Sequence, residues 1–201
     1  MQKHKGNTMI ITLSGPSGAG KSTVLRLLVS QLRNFKPLVS ITTRPPRNSD
    51  VEGEYEYVDD TEFNRWEELG QFAWVAEPHK SPYRYGTLKS SIAQALADTR
   101  EVSVGVLVPE KVFELLATWA ADKPTLVIPV YLWINDKEEL RRRLVERGDT
   151  SEESITKRLA SMNEENALAE ALAVHFFEVD ASQAPRTVSS QILWNYHSRH
   201  R

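Results

Sequence analysis

The chain has 201 residues, of which 40% are apolar and 26% charged, and it contains no cysteine. The length allows one sizeable core with small appended lobes, and the missing cysteine excludes disulfides and thiolate metal sites. A formal net charge of -2, from 25 basic and 27 acidic side chains, gives no bulk attraction for nucleic acid or an anionic membrane.

After a polar stretch at Met1–Asn7, the apolar run Met9–Ser14 reads as a buried strand, and Ser22–Asn34 reads as a helix with Val24, Leu25, Leu28 and Leu32 on one face. Between them stands Gly15-Pro16-Ser17-Gly18-Ala19-Gly20-Lys21-Ser22-Thr23, the glycine-rich phosphate loop with its lysine and hydroxyl pair. Such a loop turns successive backbone N–H groups toward one phosphate, and the following helix adds its positive end. Gly15, Ser17, Gly18, Ala19, Gly20, Lys21, Ser22 and Thr23 are therefore the expected triphosphate-binding set. Lys21 is expected on the β- and γ-phosphates, and Ser22 on the magnesium ion between them.

Leu38–Thr42 reads as a second strand. Residues 43–86 then break the rhythm. Pro45, Pro46, many charges and short alternating pieces such as Glu54–Val58 suggest a small lobe with antiparallel strands. Arg44 and Arg47 stand in a proline-stiffened loop, where guanidinium forks suit phosphate oxygens. Tyr55 and Tyr85 either hydrogen-bond an acceptor phosphate or pack the lobe's interior. Helical patterns follow at Lys89–Asp98, Pro109–Ala120, Lys137–Glu146, Ser154–Ala173 and Thr187–Tyr196, alternating with strands at Val102–Val108, Thr125–Ile134 and Val174–Val179. Nearly unbroken aliphatic strands separated by helices predict a parallel sheet covered on both faces, an α/β fold of three layers. Gly148–Glu153 joins two helical patterns, with Thr150 and Glu153 spaced as a capping box. Arg141, Arg142, Arg143, Arg147 and Arg158 surround this turn, which predicts a helical lid whose arginines neutralise a transferring phosphoryl group and exclude water. The five histidines are scattered and suggest no metal cluster.

These motifs together resemble the guanylate kinase family over roughly residues 9–197. The matching stretches are GPSGAGKST, Val39–Arg47, Gly53–Val58, Asp60–Phe63, Tyr85–Thr87 and Arg143–Ile155 with Lys157–Leu159. The resemblance implies a single guanylate-kinase-like domain over 1–201 with a P-loop NTPase fold. Its core would comprise 8–36 and 88–197, its mixed α/β acceptor-binding lobe 37–87, and its helical lid 144–158. It also implies ATP and Mg2+, a small phosphorylated acceptor, a cytoplasmic monomer or homodimer, and no nucleic acid or membrane partner. By this likeness Arg44, Arg47, Tyr55 and Tyr85 hold the acceptor's phosphate, Arg143 contacts the donor, and Lys21, Arg44, Arg147 and Arg158 are catalytic.

The acceptor's base is another matter. The family reads guanine with a lobe glutamate, and its strand ends in Asp-x-Asp, one aspartate near the magnesium and phosphates and the other helping to read the base; this chain has Trp74, Gly105 and Leu107 at those positions. Ser40 and Thr87 keep the hydroxyls of the other two base-reading positions. Guanine's N1–H and amino group would lose their acceptors, at about 1–3 kcal/mol for each donor left unpaired. Glu77 or His79 would have to replace them for GMP to fit. Trp74 would stack on another ring or fill the pocket, the latter favouring a smaller acceptor. Ribose 1,5-bisphosphate phosphokinases are similar in these losses, whereas the TTRPPR stretch and Tyr55 are closer to guanylate kinases. The leading expectation is thus an ATP-dependent kinase acting on a nucleoside monophosphate or a sugar phosphate. A non-catalytic interaction module and a nucleotide-hydrolysing switch are the alternatives.

Overall fold

In the computed structural model, which describes residues 9–48, 50–77, 82–98, 100–122, 126–146 and 151–199, two sheets divide the strands. The larger runs in the order β2 (Phe35–Pro37), β7 (Val102–Val106), β1 (Met9–Ser14), β8 (Val127–Trp133), β9 (Phe177–Asp180), with every pairing parallel. Alternate side chains of β1 serve opposite faces, as strand geometry requires. Ile11 and Leu13 pack with Val24, Leu25 and Leu28 of α1 (Lys21–Gln31) and with Val188 and Ile192 of α7 (Pro185–Ser198). Ile10 belongs to the other face, with Ile92 and Ala95 of α3 (Lys89–Ala97) and Val112 of α4 (Pro109–Glu114). The three-layer parallel α/β arrangement is therefore present.

The smaller sheet has the order β4 (Tyr55–Tyr57), β3 (Ser40–Thr42), β6 (Tyr85–Leu88), β5 (Phe72–Ala76). Its β3–β6 and β5–β6 pairings are antiparallel, but β3–β4 is parallel, a departure from the all-antiparallel expectation. The single strand expected over Leu38–Thr42 is also corrected. Leu38 N–H still bonds the Val104 carbonyl of the large sheet at 2.8 Å, whereas Ser40 N–H bonds the Glu54 carbonyl of the small one at 3.0 Å. The chain changes sheets within two residues, and apolar content alone does not reveal that change.

A helix not foreseen, α2 (Asp60–Glu68), covers the small sheet. The Asp59 side chain caps it by accepting from Glu62 N–H at 2.8 Å. Its buried Phe63 stacks on Phe72 with ring centroids 4.7 Å apart. The helix expected over Pro109–Ala120 is α4 followed by a π-helical turn, Leu115–Trp119, in which Ala120 N–H reaches the Leu115 carbonyl at 3.0 Å. Helix α5 spans Lys137–Glu146 and α6 spans Glu152–Ala171. The cap of α6 is Ser151, which accepts from Ser154 N–H at 3.1 Å; Thr150 lies outside the described residues. None of the helices among the described residues is long and apolar enough to cross a membrane.

Close packing in the small sheet has a measurable consequence. A Cβ on Gly86 would sit 2.5 Å from Cε1 of the Phe72 ring, and that ring is held by Phe63. Gly86→Ala should therefore destabilise the protein by about 1–3 kcal/mol. Urea unfolding followed by tryptophan fluorescence reads this directly, and an unchanged midpoint would contradict it.

Candidate active site

The site begins where β1 ends. Gly15, Gly18 and Gly20 all have positive φ, at 138°, 94° and 92°. A side chain at Gly15 would press on the Leu132 carbonyl at 2.5 Å, and one at Gly18 would meet Leu140 at 2.6 Å. These approaches bend the loop into a cradle and point α1 toward its mouth. Helix α1 has no side-chain cap and no acid in its first turn, so its positive end is left to an anion. Lys21 bends over the loop, donating to the Gly15 carbonyl and to the Pro16 carbonyl, the latter at 2.9 Å.

A cavity of about 1280 Å³ joins this cradle to the small sheet. Ser17, Gly18, Ala19, Gly20, Lys21, Ser22 and Thr23 form one wall; Ser40, Arg44, Arg47, Tyr55, Trp74, Tyr85 and Thr87 form another. From α6, Arg158 donates to the Ser17 hydroxyl and thereby meets the cradle directly. From α5, Arg143 passes within 3.9 Å of the Cβ position on Gly20, braced by Glu139 at 2.7 Å. Arg147 lies outside the described residues. Arg141 and Arg142 are engaged in ion pairs, with Glu152 and with Glu139 and Glu146 respectively.

The acceptor-side cations and hydroxyls form a connected set. Arg44 is only 3% exposed and donates to Asp50 at 2.9 Å and to the Pro45 carbonyl at 2.8 Å. Burial opposes its charge, but the bond to Asp50 and the charges around it raise its pKa overall. Asp50 also accepts from Arg47 N–H and from the Tyr57 hydroxyl, each at 2.7 Å. Burial works against the Asp50 carboxylate, yet these donors hold its pKa below the ordinary value. The Arg44 guanidinium lies 5.0 Å from the Tyr55 ring centroid, and the Tyr55 and Tyr85 rings meet edge-on at 6.0 Å. Burial, then the neighbouring Glu54 charge, pushes the Tyr55 hydroxyl pKa well up, so it acts as a hydrogen-bond donor.

The far end of this wall is apolar. Trp74 is 5% exposed and belongs to one cluster with Leu38 and Leu107. Gly105 adds no side chain, and a Cβ there would stand 3.0 Å from Leu38. The indole of Trp74 thus lines the cavity while packing with Leu38 and Leu107. Ser40 and Thr87 are buried beside it. Glu77 is exposed, with its carboxylate 3.7 Å from Arg84 Nε, and His79 lies outside the described residues.

Three acids escaped the sequence reading. Asp50 follows Arg47 by three residues, a spacing that allows its side chain to close the turn on Arg47 N–H. Glu54 precedes Tyr55 and is 2% exposed, with Ser22 donating to it at 3.1 Å. Glu165 stands seven residues beyond Arg158, two turns along the same face of α6, and accepts from Ser161 at 3.2 Å. Among the described residues, no three histidine, aspartate or glutamate side chains group as a metal cage. Magnesium needs none, since it is commonly held by one or two protein oxygens together with substrate phosphates. Ser22 beside the Glu54 carboxylate, at the mouth of an uncapped helix, fits that pattern.

A family model described as guanylate kinase matches residues 6–183. The guanylate kinase of Porphyromonas gingivalis is 33% identical over 175 residues, covering 86% of this chain and 90% of that protein. That of Wolinella succinogenes is 35% identical over 160 residues, covering 79% and 70%. Among solved structures, the guanylate kinase from Anaplasma phagocytophilum aligns with a TM-score of 0.70 at 23% identity, covering 98% of this chain and 88% of that one. A gluconokinase from Sinorhizobium meliloti aligns with a TM-score of 0.50 at 17% identity, covering 97% and 99%. At these identities the two structural likenesses describe the fold.

Burial raises the pKa of Glu165 to about 7, although the Lys21 and Arg158 charges pull it down. Its folded value thus exceeds the unfolded one, so the folded state binds the extra proton. Stability should fall as pH rises from about 4.5 to about 7 and then level off. Replacing Glu165 by Gln should remove about 1–3 kcal/mol of this pH-dependent loss. Urea titrations of both proteins between pH 5 and 8 check the sign, and parallel stability profiles would refute it.

Proposed function

Because the chain belongs to the guanylate kinase family, we infer that it is an ATP-dependent phosphotransferase whose acceptor is the phosphate of a nucleoside monophosphate. The observation that carries this reading is one cavity shared by the phosphate cradle and the Arg44–Tyr55–Tyr85 set. Gly15 to Thr23 would grip the donor's phosphates with backbone N–H groups. Lys21, Arg143 and Arg158 would offset charge on the transferring group, and Arg44, Arg47, Tyr55 and Tyr85 would orient the acceptor phosphate. Arg147 is assigned to the same task from its place in the lid sequence.

Positioning and charge stabilisation are the main tasks of a protein in phosphoryl transfer. An acceptor phosphate oxygen is already anionic, so no protein base has to remove a proton. When bound, magnesium withdraws charge from the donor's phosphate oxygens, and the Ser22 hydroxyl is the group placed to hold it. The small sheet with α2 would serve as the acceptor-binding lobe, and the facing ends of α5 and α6, which carry Arg143 and Arg158, would form the arms of the lid.

The apolar cluster of Trp74, Leu38 and Leu107 favours a second reading within the same chemistry. It supplies no acceptor for guanine's N1–H and amino group, so a sugar phosphate, or a base that stacks without those donors, fits better than GMP.

A coupled ADP-release assay separates the cases, run with GMP, dGMP, AMP, dAMP, pyrimidine monophosphates and ribose 1,5-bisphosphate. Turnover with a nucleoside monophosphate supports the first reading, and turnover with the sugar bisphosphate alone sinks it. With whichever acceptor reacts, Lys21→Ala should lower kcat by about 100-fold or more. Full turnover by that variant would reject the donor site described here.

A further inference from the structure

We propose that Glu54 is the carboxylate of the magnesium site, acting on the ion beside the Ser22 hydroxyl and standing in for the acid that strand β7 lacks. This rests on the donor-site reading given above.

Glu54 is 2% exposed, and each of its oxygens is occupied: Oε1 accepts from Ser22 Oγ at 3.1 Å and Oε2 from Val51 N–H at 3.0 Å. The neighbouring Tyr55 hydroxyl also favours the charged carboxylate, against the burial that raises its pKa. Among the described residues, no lysine, arginine or histidine nitrogen comes within 4.0 Å of this carboxylate, although such pairs are recorded for Asp50, Asp98 and Glu139. A buried carboxylate with hydrogen bonds but no counter-cation is costly in a protein interior. Its one link toward the phosphate cradle is the hydroxyl of Ser22, on the first turn of α1.

Glu54 stands behind Ser22 on the wall of the cavity, and the large buried acid that lines the cavity itself differs. Glu165 feels the positive charges of Lys21 and Arg158. At the end of β7 and just beyond it stand Gly105, Val106 and Leu107, with no carboxylate, and the last two line the cavity. Glu54 is thus the buried acid whose charge is still to be met, and it lies beside the hydroxyl expected to face magnesium. A divalent ion held by donor phosphates and Ser22 would meet that charge across the Ser22 hydroxyl, which donates to Glu54 and keeps a lone pair for the ion.

Calorimetric titration with the β,γ-imido analogue of ATP tests this, in excess magnesium and separately in EDTA. Wild-type protein should bind the analogue more tightly with magnesium. Glu54→Gln should weaken binding in magnesium by about 10-fold or more, while leaving binding in EDTA unchanged or tighter, because a negative charge near the phosphates is gone. Glu54→Asp should restore part of the magnesium effect. Manganese titration followed by its electron paramagnetic resonance signal gives the metal affinity of each analogue complex without any turnover. If the Gln variant loses its cooperative melt, the Asp variant carries the test: its lower metal affinity with unchanged EDTA binding supports the role. Equal weakening in magnesium and EDTA, or unchanged manganese affinity in folded variants, overturns the proposal. Failure of the wild-type protein to bind the analogue at all would reject the donor-site reading itself, and this inference with it.

Discussion

The bend at the carboxyl end of β1 is the constraint on which the site depends. Gly15 packs so closely under the Leu132 carbonyl of β8, and Gly18 so closely against Leu140 and Leu144 of α5, that no side chain has room at either position. Both also hold backbone angles that residues with a Cβ rarely adopt. This contact brings the mouth of α1, the end of the central strand and the first helix of the lid to one point. Ser17 and Gly20 then lie within reach of Arg158 and Arg143, whose side chains come from far along the chain. A loop displaced by even an ångström would aim the lid arginines and the helix end at different places.

Around that point the charges are arranged with unequal support. Arg44 is buried because Asp50 answers it, and Asp50 in turn fastens the Arg47 backbone and the Tyr57 hydroxyl. The guanidinium is thereby fixed in orientation before any acceptor arrives, which lowers the ordering cost of binding. Its fork is shared between Asp50 and the Pro45 carbonyl, whereas Arg47 is exposed.

Much of this was legible in the chain. The phosphate loop is a local device: its function follows from backbone angles that nearby glycines permit, so nine residues suffice to recognise it. The place of Arg44, Arg47, Tyr55 and Tyr85 on the same cavity as the loop was legible because few residue types bind phosphate well and they follow such a loop. The acids Asp50, Glu54 and Glu165 were not. Their importance comes from burial, and burial is decided by the path of the lobe and the rotation of α6. Helix α2 escaped because it is short and is held by Phe63 and Trp66 against the sheet, too few apolar residues to establish a period. The split of Leu38–Thr42 escaped because an apolar run says that a strand is buried and is silent about which sheet receives it.

That split also bears on what the pocket admits. By leaving the large sheet at Leu38, the chain places this side chain over Gly105, in one cluster with Trp74 and Leu107. The absence of a β7 side chain at Gly105 and the presence of an indole on β5 are therefore complementary features of one apolar surface. Restoring a single acid there would bury it among Leu38, Ile92 and Trp74 without a partner. An acid on β7 would need a matching change at Trp74 on β5, whereas Arg44 is held by Asp50 and the Pro45 carbonyl, apart from that apolar surface. The Arg44–Asp50 pair and the apolar cluster of Trp74, Leu38 and Leu107 are thus two groups of side chains with separate supports on one cavity, and a substitution in one leaves the contacts of the other in place.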